Sequence, residues 1–273
     1  MPPLISIVTP VFNAARFLPR MIRSVQNQTE KNYEHIVVDD CSTDGGLAII
    51  EAFAAQDQRI KIVKLPRNQG VIAARNAAIG LAKGRYLAFL DADDLWLPEK
   101  LEIQSRHMML NNIVLSYTDY RFISECGDKV GRLLRTPNRI GWHWHHMTRY
   151  LGCLTIMLDR EKCPCFSFGE VSSKFRAEDF LAWSSVIQQH GPAARCPGDL
   201  ARYATVKNSR SSNGIVASLT VWQLYRKVEN INLWMAGVYF ASYILFSTAK
   251  RQYCKPVHTP SPSFIASYAI HHE

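Results

Sequence analysis

Phe89-Leu90-Asp91-Ala92-Asp93-Asp94 is the stretch on which the reading of this chain turns. An apolar strand over residues 86–90 runs directly into three carboxylates within four residues. Such a cluster repels itself unless positive charge sits close by. A hard divalent cation held by oxygen ligands meets that need, and such ions commonly bridge to substrate phosphates. A plainer reading competes: an acidic turn in which Asp93 or Asp94 caps a helix over residues 95–109. The cluster alone does not separate the two.

The segments before it do. Leu4-Ile5-Ser6-Ile7-Val8 reads as a buried strand leading into Thr9-Pro10-Val11-Phe12-Asn13. Leu18, Met21, Ile22 and Val25 then recur at helical spacing. His35-Ile36-Val37-Val38 is a second strand ending in Asp39-Asp40-Cys41-Ser42-Thr43-Asp44, followed by a helix with Leu47, Ile50 and Ala54 on one face. Residues 60–65 form a third strand. Residues 68–76 open an Ala-rich helix that Lys83-Gly84 ends. The β-α-β-α-β-α-β alternation with short links predicts an α/β fold, a mostly parallel sheet with helices on both faces. Ligands of such sheets bind beyond the carboxyl ends of the strands. Thr9, Asn13, Asp39, Asp40, Asp91 and Asp93 all fall there, which an isolated acidic turn does not predict.

Common nucleotide signatures are missing. No G-x-G-x-x-G follows the first strand and no G-x-x-x-x-G-K-[ST] occurs, so neither a dinucleotide fingerprint nor a P-loop is present. Gly45-Gly46 is an isolated pair. The residues instead resemble family 2 glycosyltransferases. Thr9–Asn13, Val38–Asp44, Asn68–Asn76 and Leu90–Asp94 look like that family's consecutive motifs, in order and at its spacing, over about residues 4–110.

The resemblance implies the GT-A fold, a nucleotide-sugar donor (often a UDP-sugar) and inversion at the anomeric carbon. It casts Asp40 as the reader of the uracil edge and places Thr9, Pro10 and Phe12 at the base pocket. Phe12 replaces a frequent tyrosine and lacks its hydroxyl. Arg75 resembles the arginine that contacts the nucleotide. Asp91 and Asp93 resemble the DXD pair, which holds Mn²⁺ or Mg²⁺ on the diphosphate. A metal clamp suits a leaving UDP, on which negative charge develops. Each residue also has a plainer role: Asp40 as a helix cap, Arg75 as a solvated helix residue, Asn76 as a partner for buried backbone.

Arg176-Ala177-Glu178-Asp179-Phe180-Leu181-Ala182-Trp183 stands out in the second half. Inverting transfer needs one carboxylate to take the acceptor hydroxyl's proton. Glu178-Asp179 before a Trp-containing helix resembles the family's ED motif, with Asp179 as the base and Glu178 as the fallback. An acidic helix start favoured by the macrodipole is the plainer reading. The stretch from Tyr203 to Asn213 looks like the loop that closes over the diphosphate in some relatives, with Lys207 and Arg210 as neutralising charges or as members of an exposed basic loop. Gly141-Trp142-His143-Trp144-His145-His146 lacks companions at zinc-like spacing and reads as part of the acceptor side. Cys163-Pro164-Cys165 is too isolated for a zinc site.

The chain has 273 residues, 47% hydrophobic, and can bury a full core. Residues 1–215 read as the transferase domain, with a nucleotide-binding half over 1–110 and an acceptor-binding half over 111–215. Residues 216–273 read as a C-terminal helical region. Seven cysteines in no paired pattern, and no signal segment before the first strand, imply a reducing, cytoplasmic setting. From Ala201 onward eight Lys/Arg face two acids, a net +6 of the chain's +9. This charge lies among Trp, Tyr, Phe and Met, and no recognition motif accompanies it, so nucleic acid is not the expected partner. Residues 230–249 carry no charge and lie between Arg226-Lys227 and Lys250-Arg251. Basic flanks and interfacial aromatics predict a helix lying in the membrane surface ahead of one packed on the domain, with a span third.

This layout is similar to bacterial transferases of O-antigen, capsule or teichuronic-type polymers. The similarity implies an undecaprenyl-diphosphate-linked saccharide acceptor and peripheral association with the inner leaflet of the plasma membrane. No Q-x-x-R-W follows Asp179, which disfavours a processive synthase. A nucleotidyltransferase and a catalytically inactive nucleotide-sugar-binding subunit are the alternatives.

Overall fold

The computed structural model describes residues 3–169, 177–205, 214–253 and 256–258. The first half alternates as the sequence predicts: β1 (Ile5–Val11), α1 (Leu18–Gln26), β2 (Tyr33–Asp39), α2 (Gly46–Gln56), β3 (Ile60–Lys64), α3 (Val71–Leu81) and β4 (Tyr86–Phe89). β1 pairs in parallel with β2 and β4, and β2 with β3. The order is therefore β3-β2-β1-β4, and the direction of strand progression reverses at β1. That switch opens a crevice beyond the carboxyl ends of β1 and β4. β1, β2 and β4 are buried along almost their whole length, as expected of parallel strands covered on both faces. Leu18, Met21, Ile22 and Val25 of α1 are all buried, each contributing roughly 1.5–3 kcal/mol by leaving water.

The helix expected over residues 95–109 begins later. Leu95–Trp96 is a short strand, β5, and the helix is α4 (Lys100–Leu110). Pro98 disfavours helical geometry at Leu97. β5 also finds a distant antiparallel partner in β10 (Ala193–Thr205), through Trp96 beside Ala201.

The second half continues the same sheet. β6 (Leu115–Ser124) carries β7 (Val130–Leu134) antiparallel and β10 parallel. β8 (Arg139–Ile140) pairs with the start of β10. β9 (Met157–Asp159) joins β4 to β6, antiparallel to both. The Trp-His-Trp-His-His stretch forms a short helix, α5 (Trp142–Thr148), and the acidic pair opens α6 (Glu178–His190). The C-terminal region forms α7 (Gly214–Gln223), a π-helical turn over Leu224–Val228, α8 (Leu233–Tyr253) and β11 (Pro256–His258), which pairs with β7. Gly131 on β7 makes room for the end of α8, since a Cβ there would lie 2.2 Å from the Tyr253 carbonyl. Ala177, Phe180, Val221, Leu224, Tyr225, Ile231, Ala236 and Tyr239 bury one another, so the inner face of the C-terminal helices packs on α6. Among the described residues no helix is long and apolar enough to cross a membrane.

Candidate active site

The loops after β1 and β2 are tied across the crevice. Asn13 and Cys41 both adopt left-handed backbone, with φ of 49° and 63°. Non-glycine residues hold that geometry only where surrounding contacts enforce it, often at functional sites. Here Thr43 N–H donates to Asn13 Oδ1 (2.8 Å), Ser42 Oγ accepts from Asn13 N–H (3.0 Å), and Asp44 accepts from Ala15 N–H (2.8 Å). Asp40 is buried, and its two carboxylate oxygens accept from Gln69 N–H (2.7 Å) and Gly70 N–H (2.8 Å). Gly70, at φ 87°, turns the chain into α3 at that contact. Asp40 thereby welds the end of β2 to the start of the helix that carries Arg75.

The three carboxylates after β4 have three different surroundings. Asp91 is partly exposed and accepts from Arg75 Nη2 at 2.7 Å. Asp94 is buried, and its Oδ1 accepts from Ala204 N–H at 2.8 Å, fastening the loop to the end of β10. Burial, then Asp93 and Asp91, push its carboxyl well above the usual range. Asp93 rises to about 6, chiefly through burial and then through Asp91. Arg20, itself buried, donates to the backbone carbonyls of Asp93 (3.1 Å) and Glu125 (2.6 Å), so it shapes the loop more than it neutralises it.

Arg75 joins this loop to α6. Its guanidinium is buried, with Nη1 3.6 Å from Glu178 Oε1 and the cation 5.1 Å from the Phe168 ring centroid. Burial alone would lower its pKa, but Cys153, Asp91 and Asp179 outweigh it and raise it, so Arg75 remains a cation. Its Nε and Nη1 find no hydrogen-bond partner among the described residues. Glu178 is raised by burial and by Asp179. Asp179 Oδ1 accepts from Phe180 N–H at 2.7 Å. Trp183, one turn beyond Asp179, lies 5.3 Å centroid to centroid from Phe89, two residues before Asp91. That aromatic contact sets α6 in register with the acidic loop. Asn76 holds the intervening segment, donating to the Phe168 carbonyl and accepting from Phe168 N–H, both at 2.8 Å.

The structure thus brings Asp91, Asp93, Arg75, Glu178 and Asp179 to one place, with Asp40 bracing α3 behind them. Phe12 is exposed at the crevice and Pro10 is half-buried. Thr9 departs from expectation: it is fully buried, and its hydroxyl meets His35 Nε2 at 2.9 Å. β1 is covered on both faces, so a polar residue near its end turns inward to a polar neighbour. The plainer role read for Asn76, holding backbone, is what the structure displays. Arg20 and Asp94 were not read as site residues; their signal lies only in a strand partner and a loop more than 70 residues away. Lys207 and Arg210 lie outside the described residues. Of the α5 histidines, His145 and His146 are buried and His143 is exposed. His145 Nε2 meets the Phe180 carbonyl (2.9 Å) and its ring stacks on Phe180, while burial lowers its pKa to about 3.

Asp91 and Asp93 could hold a divalent cation, and the loop suits one: two carboxylates share a turn, and only one has a guanidinium. Among the described residues no group of three or more His, Cys, Asp or Glu gathers to make a complete cage. An ion bound here would need oxygens from a ligand, which is how Mg²⁺ commonly binds at phosphate-transfer sites.

Comparison with known proteins places this geometry. The family model described as "Glycosyl transferase family 2" matches residues 6–168. The chain is 34% identical over 249 residues to the putative teichuronic acid biosynthesis glycosyltransferase TuaG of Bacillus subtilis, covering 91% of this chain and 98% of that one. It is 33% identical over 253 residues, 92% of this chain and 96% of the other, to WfgD of Escherichia coli, named as a UDP-Glc:alpha-D-GlcNAc-diphosphoundecaprenol beta-1,3-glucosyltransferase. Among solved structures, S. aureus TarS 1–349 in complex with UDP-GlcNAc superposes with a TM-score of 0.66 at 18% identity, over 90% of this chain and 72% of that chain. The mannosyltransferase PcManGT of Pyrobaculum calidifontis, solved with GDP-Man and Mn²⁺, gives 0.67 at 16% identity, over 98% and 79%. The sheet order, the crevice at its switch point and these matches agree: the chain belongs to glycosyl transferase family 2, and it is a glycosyltransferase of GT-A fold.

Proposed function

We propose that this protein moves a sugar, with inversion, from a UDP-sugar to a hydroxyl of an undecaprenyl-diphosphate-linked saccharide, as a step in building a bacterial surface polysaccharide. It works in the cytoplasm, at the inner face of the plasma membrane. One observation carries the chemistry. Carboxylates from the end of β4 and the start of α6 converge on the buried Arg75. The acceptor class is supported by the printed activity of WfgD, which matches nearly the whole chain.

In this reading Asp91 and Asp93 would hold Mn²⁺ or Mg²⁺, which would supply electrostatic stabilisation of the departing diphosphate. Asp40 fixes the loop between β3 and α3 beside the base pocket, where Pro10 and Phe12 present apolar surface. Arg75 holds Asp91 and Glu178 at fixed positions. Asp179 removes the acceptor hydroxyl's proton as the oxygen attacks the anomeric carbon. The bond from that carbon to the diphosphate oxygen breaks on the opposite side, and the nucleoside diphosphate leaves. Glu178 is the second candidate base, because it stands beside Asp179 at the start of α6, and burial and Asp179 raise its carboxyl above the ordinary value.

The test is nucleotide release from UDP-, GDP- and TDP-sugars by purified protein with a bacterial lipid extract, with Mn²⁺ or with EDTA. Release from a UDP-sugar that needs both metal and lipid is the expected result. Tight binding of UDP and Mn²⁺ without turnover on any lipid acceptor would instead mark a binding subunit. No nucleotide binding would overturn the reading of Asp91 and Asp93.

A further inference from the structure

α8 is apolar on both faces. Its inner face, through Ala236 and Tyr239, packs on α6 and the π-helical turn. Its outer face presents Trp234, Val238, Ala241 and Leu245 at i, i+4, i+7 and i+11, a continuous stripe. Trp234 is 81% exposed, Leu245 70% and Leu233, beside the stripe, 64%. A helix that is hydrophobic all round requires cover on both sides, and a contiguous apolar patch on a surface helix marks an interaction site.

We infer that the outer face of α8 lies in the headgroup region of an anionic phospholipid bilayer. Three observations favour that occupant over a second copy of the chain. Arg226 and Lys227 precede the stripe, and Glu229 is the one acid against four Lys/Arg among residues 214–253. Two copies facing one another would oppose these like charges, whereas anionic lipid complements them. The exposed side chains include a tryptophan, which prefers the interfacial layer. Among the described residues no helix is long and apolar enough to cross a membrane, and an exposed apolar stripe with basic residues near it suits the membrane surface.

The docked face is tied to the chemistry through α5. Tyr239 meets His143 Nδ1 at 2.5 Å, Tyr225 donates to the His146 carbonyl at 2.6 Å, and His145 meets the carbonyl of Phe180, the residue after Asp179. A bilayer against α8 therefore fixes the orientation of α6 relative to the lipid surface. This deepens the reading of a lipid-linked acceptor, and only the last arm of the test rests on that reading.

The test is flotation of the full-length protein with vesicles. Wild type is expected to float with vesicles of about one-third phosphatidylglycerol and to remain unbound with pure phosphatidylcholine. Trp234→Ser/Leu245→Ser, both at exposed positions, is expected to lower the vesicle partition coefficient by at least about tenfold. Its Mn²⁺–UDP affinity should stay within about twofold of wild type. Unchanged flotation in the double variant, or equal flotation with neutral vesicles, overturns the proposal. So does a dimer, seen by light scattering, that the same substitutions disperse, since the face would then belong to a second copy. Transfer onto a lipid-linked acceptor in vesicles should fall in step with flotation. A wild type that floats but binds no nucleotide would leave the docking face standing and remove the transferase reading.

Discussion

The molecule gathers acidic residues at two places, and the two are built differently around one shared guanidinium. The loop after β4 places Asp91, Asp93 and Asp94 at the end of a buried strand. There burial raises the pKa of Asp93 and Asp94 although Arg20 lies close, and of the three only the Asp91 carboxylate is ion-paired to a guanidinium among the described residues. Glu178 and Asp179 open α6, where the helix dipole favours negative charge and Arg75 approaches from one side. Arg75 reaches one carboxylate of each place, Asp91 at 2.7 Å and Glu178 at 3.6 Å. In the loop the remaining acids are crowded into one buried turn, which suits a cation that arrives with its ligand. At the helix start the macrodipole supports the negative charge, which suits a base. Arg75, touching both, separates these roles by neutralising one member of each pair.

The largest effect expected from breaking this contrast is at the helix. Asp179→Asn should lower transfer by roughly 10²–10⁴-fold, the usual worth of a positioned base, with Mn²⁺–UDP affinity nearly unchanged. Glu178→Gln should cost much less. Initial rates of nucleotide release decide it. If Glu178→Gln proves the more damaging, the base is Glu178 and Asp179 is the supporting charge.

The shared cation comes next. Arg75→Met leaves Asp91 and Glu178 facing one another without their guanidinium. Removing one partner of a buried pair costs about 3–5 kcal/mol. The lower end, about 3 kcal/mol, is expected here because the Asp91 side chain keeps 36% of its surface and can rehydrate. Urea unfolding gives the number. A loss below about 1 kcal/mol would mean that Arg75 is not the link between the two clusters.

The two places also differ in how plainly the sequence announced them. Asp91 and Asp93 were legible because carboxylates directly follow a strand, and strand ends face the crevice in any parallel sheet. Asp179 was legible by chemistry and position but not by geometry, since nothing local shows that Trp183 meets Phe89. Thr9 was named from its place at the end of a strand, and that place does not tell that its hydroxyl meets His35, since a strand covered on both faces has no solvent side. The helix expected from residue 95 starts at Lys100, because β5 pairs with a strand more than 100 residues away. The C-terminal helices were legible only as composition. Whether an uncharged stretch packs or docks depends on which of its faces a distant helix covers, and here α6 covers one.

A smaller effect separates the members of the loop. Asp94 carries a carboxyl well above the usual range while accepting from Ala204 N–H. Asp94→Asn keeps an acceptor and drops the unfavourable charge, so its stability should lie within about 1 kcal/mol of wild type. Asp94→Ala leaves a buried N–H unpaired and should cost about 1–3 kcal/mol. Equal losses from both, by chemical unfolding, would show that the charge itself is required.

The smallest effect bears most directly on the missing positive charge, and its sign is the informative part. Asp93 titrates near 6 in the folded chain against 3.8 for an ordinary aspartate. Between these values the folded state holds more protons than the unfolded one, so the Asp93 contribution makes stability fall as pH rises from about 4 to about 6 and then level off. Asp57, lowered to about 2 chiefly by its hydrogen bond to Arg59, has the opposite sign, and its contribution is lost only as pH falls toward 2. Titration of Asp93 is therefore read in the difference between wild type and Asp93→Asn, in EDTA. The variant should gain on wild type by an amount of order 1 kcal/mol between pH 4 and pH 7. Mn²⁺ with UDP at pH 7 should restore wild type and leave the variant unchanged, because the ion supplies the charge the loop lacks. A difference that stays flat from pH 4 to pH 7 would show that Asp93 is already neutralised within the chain, and the contrast between loop and helix would then fail at its central point.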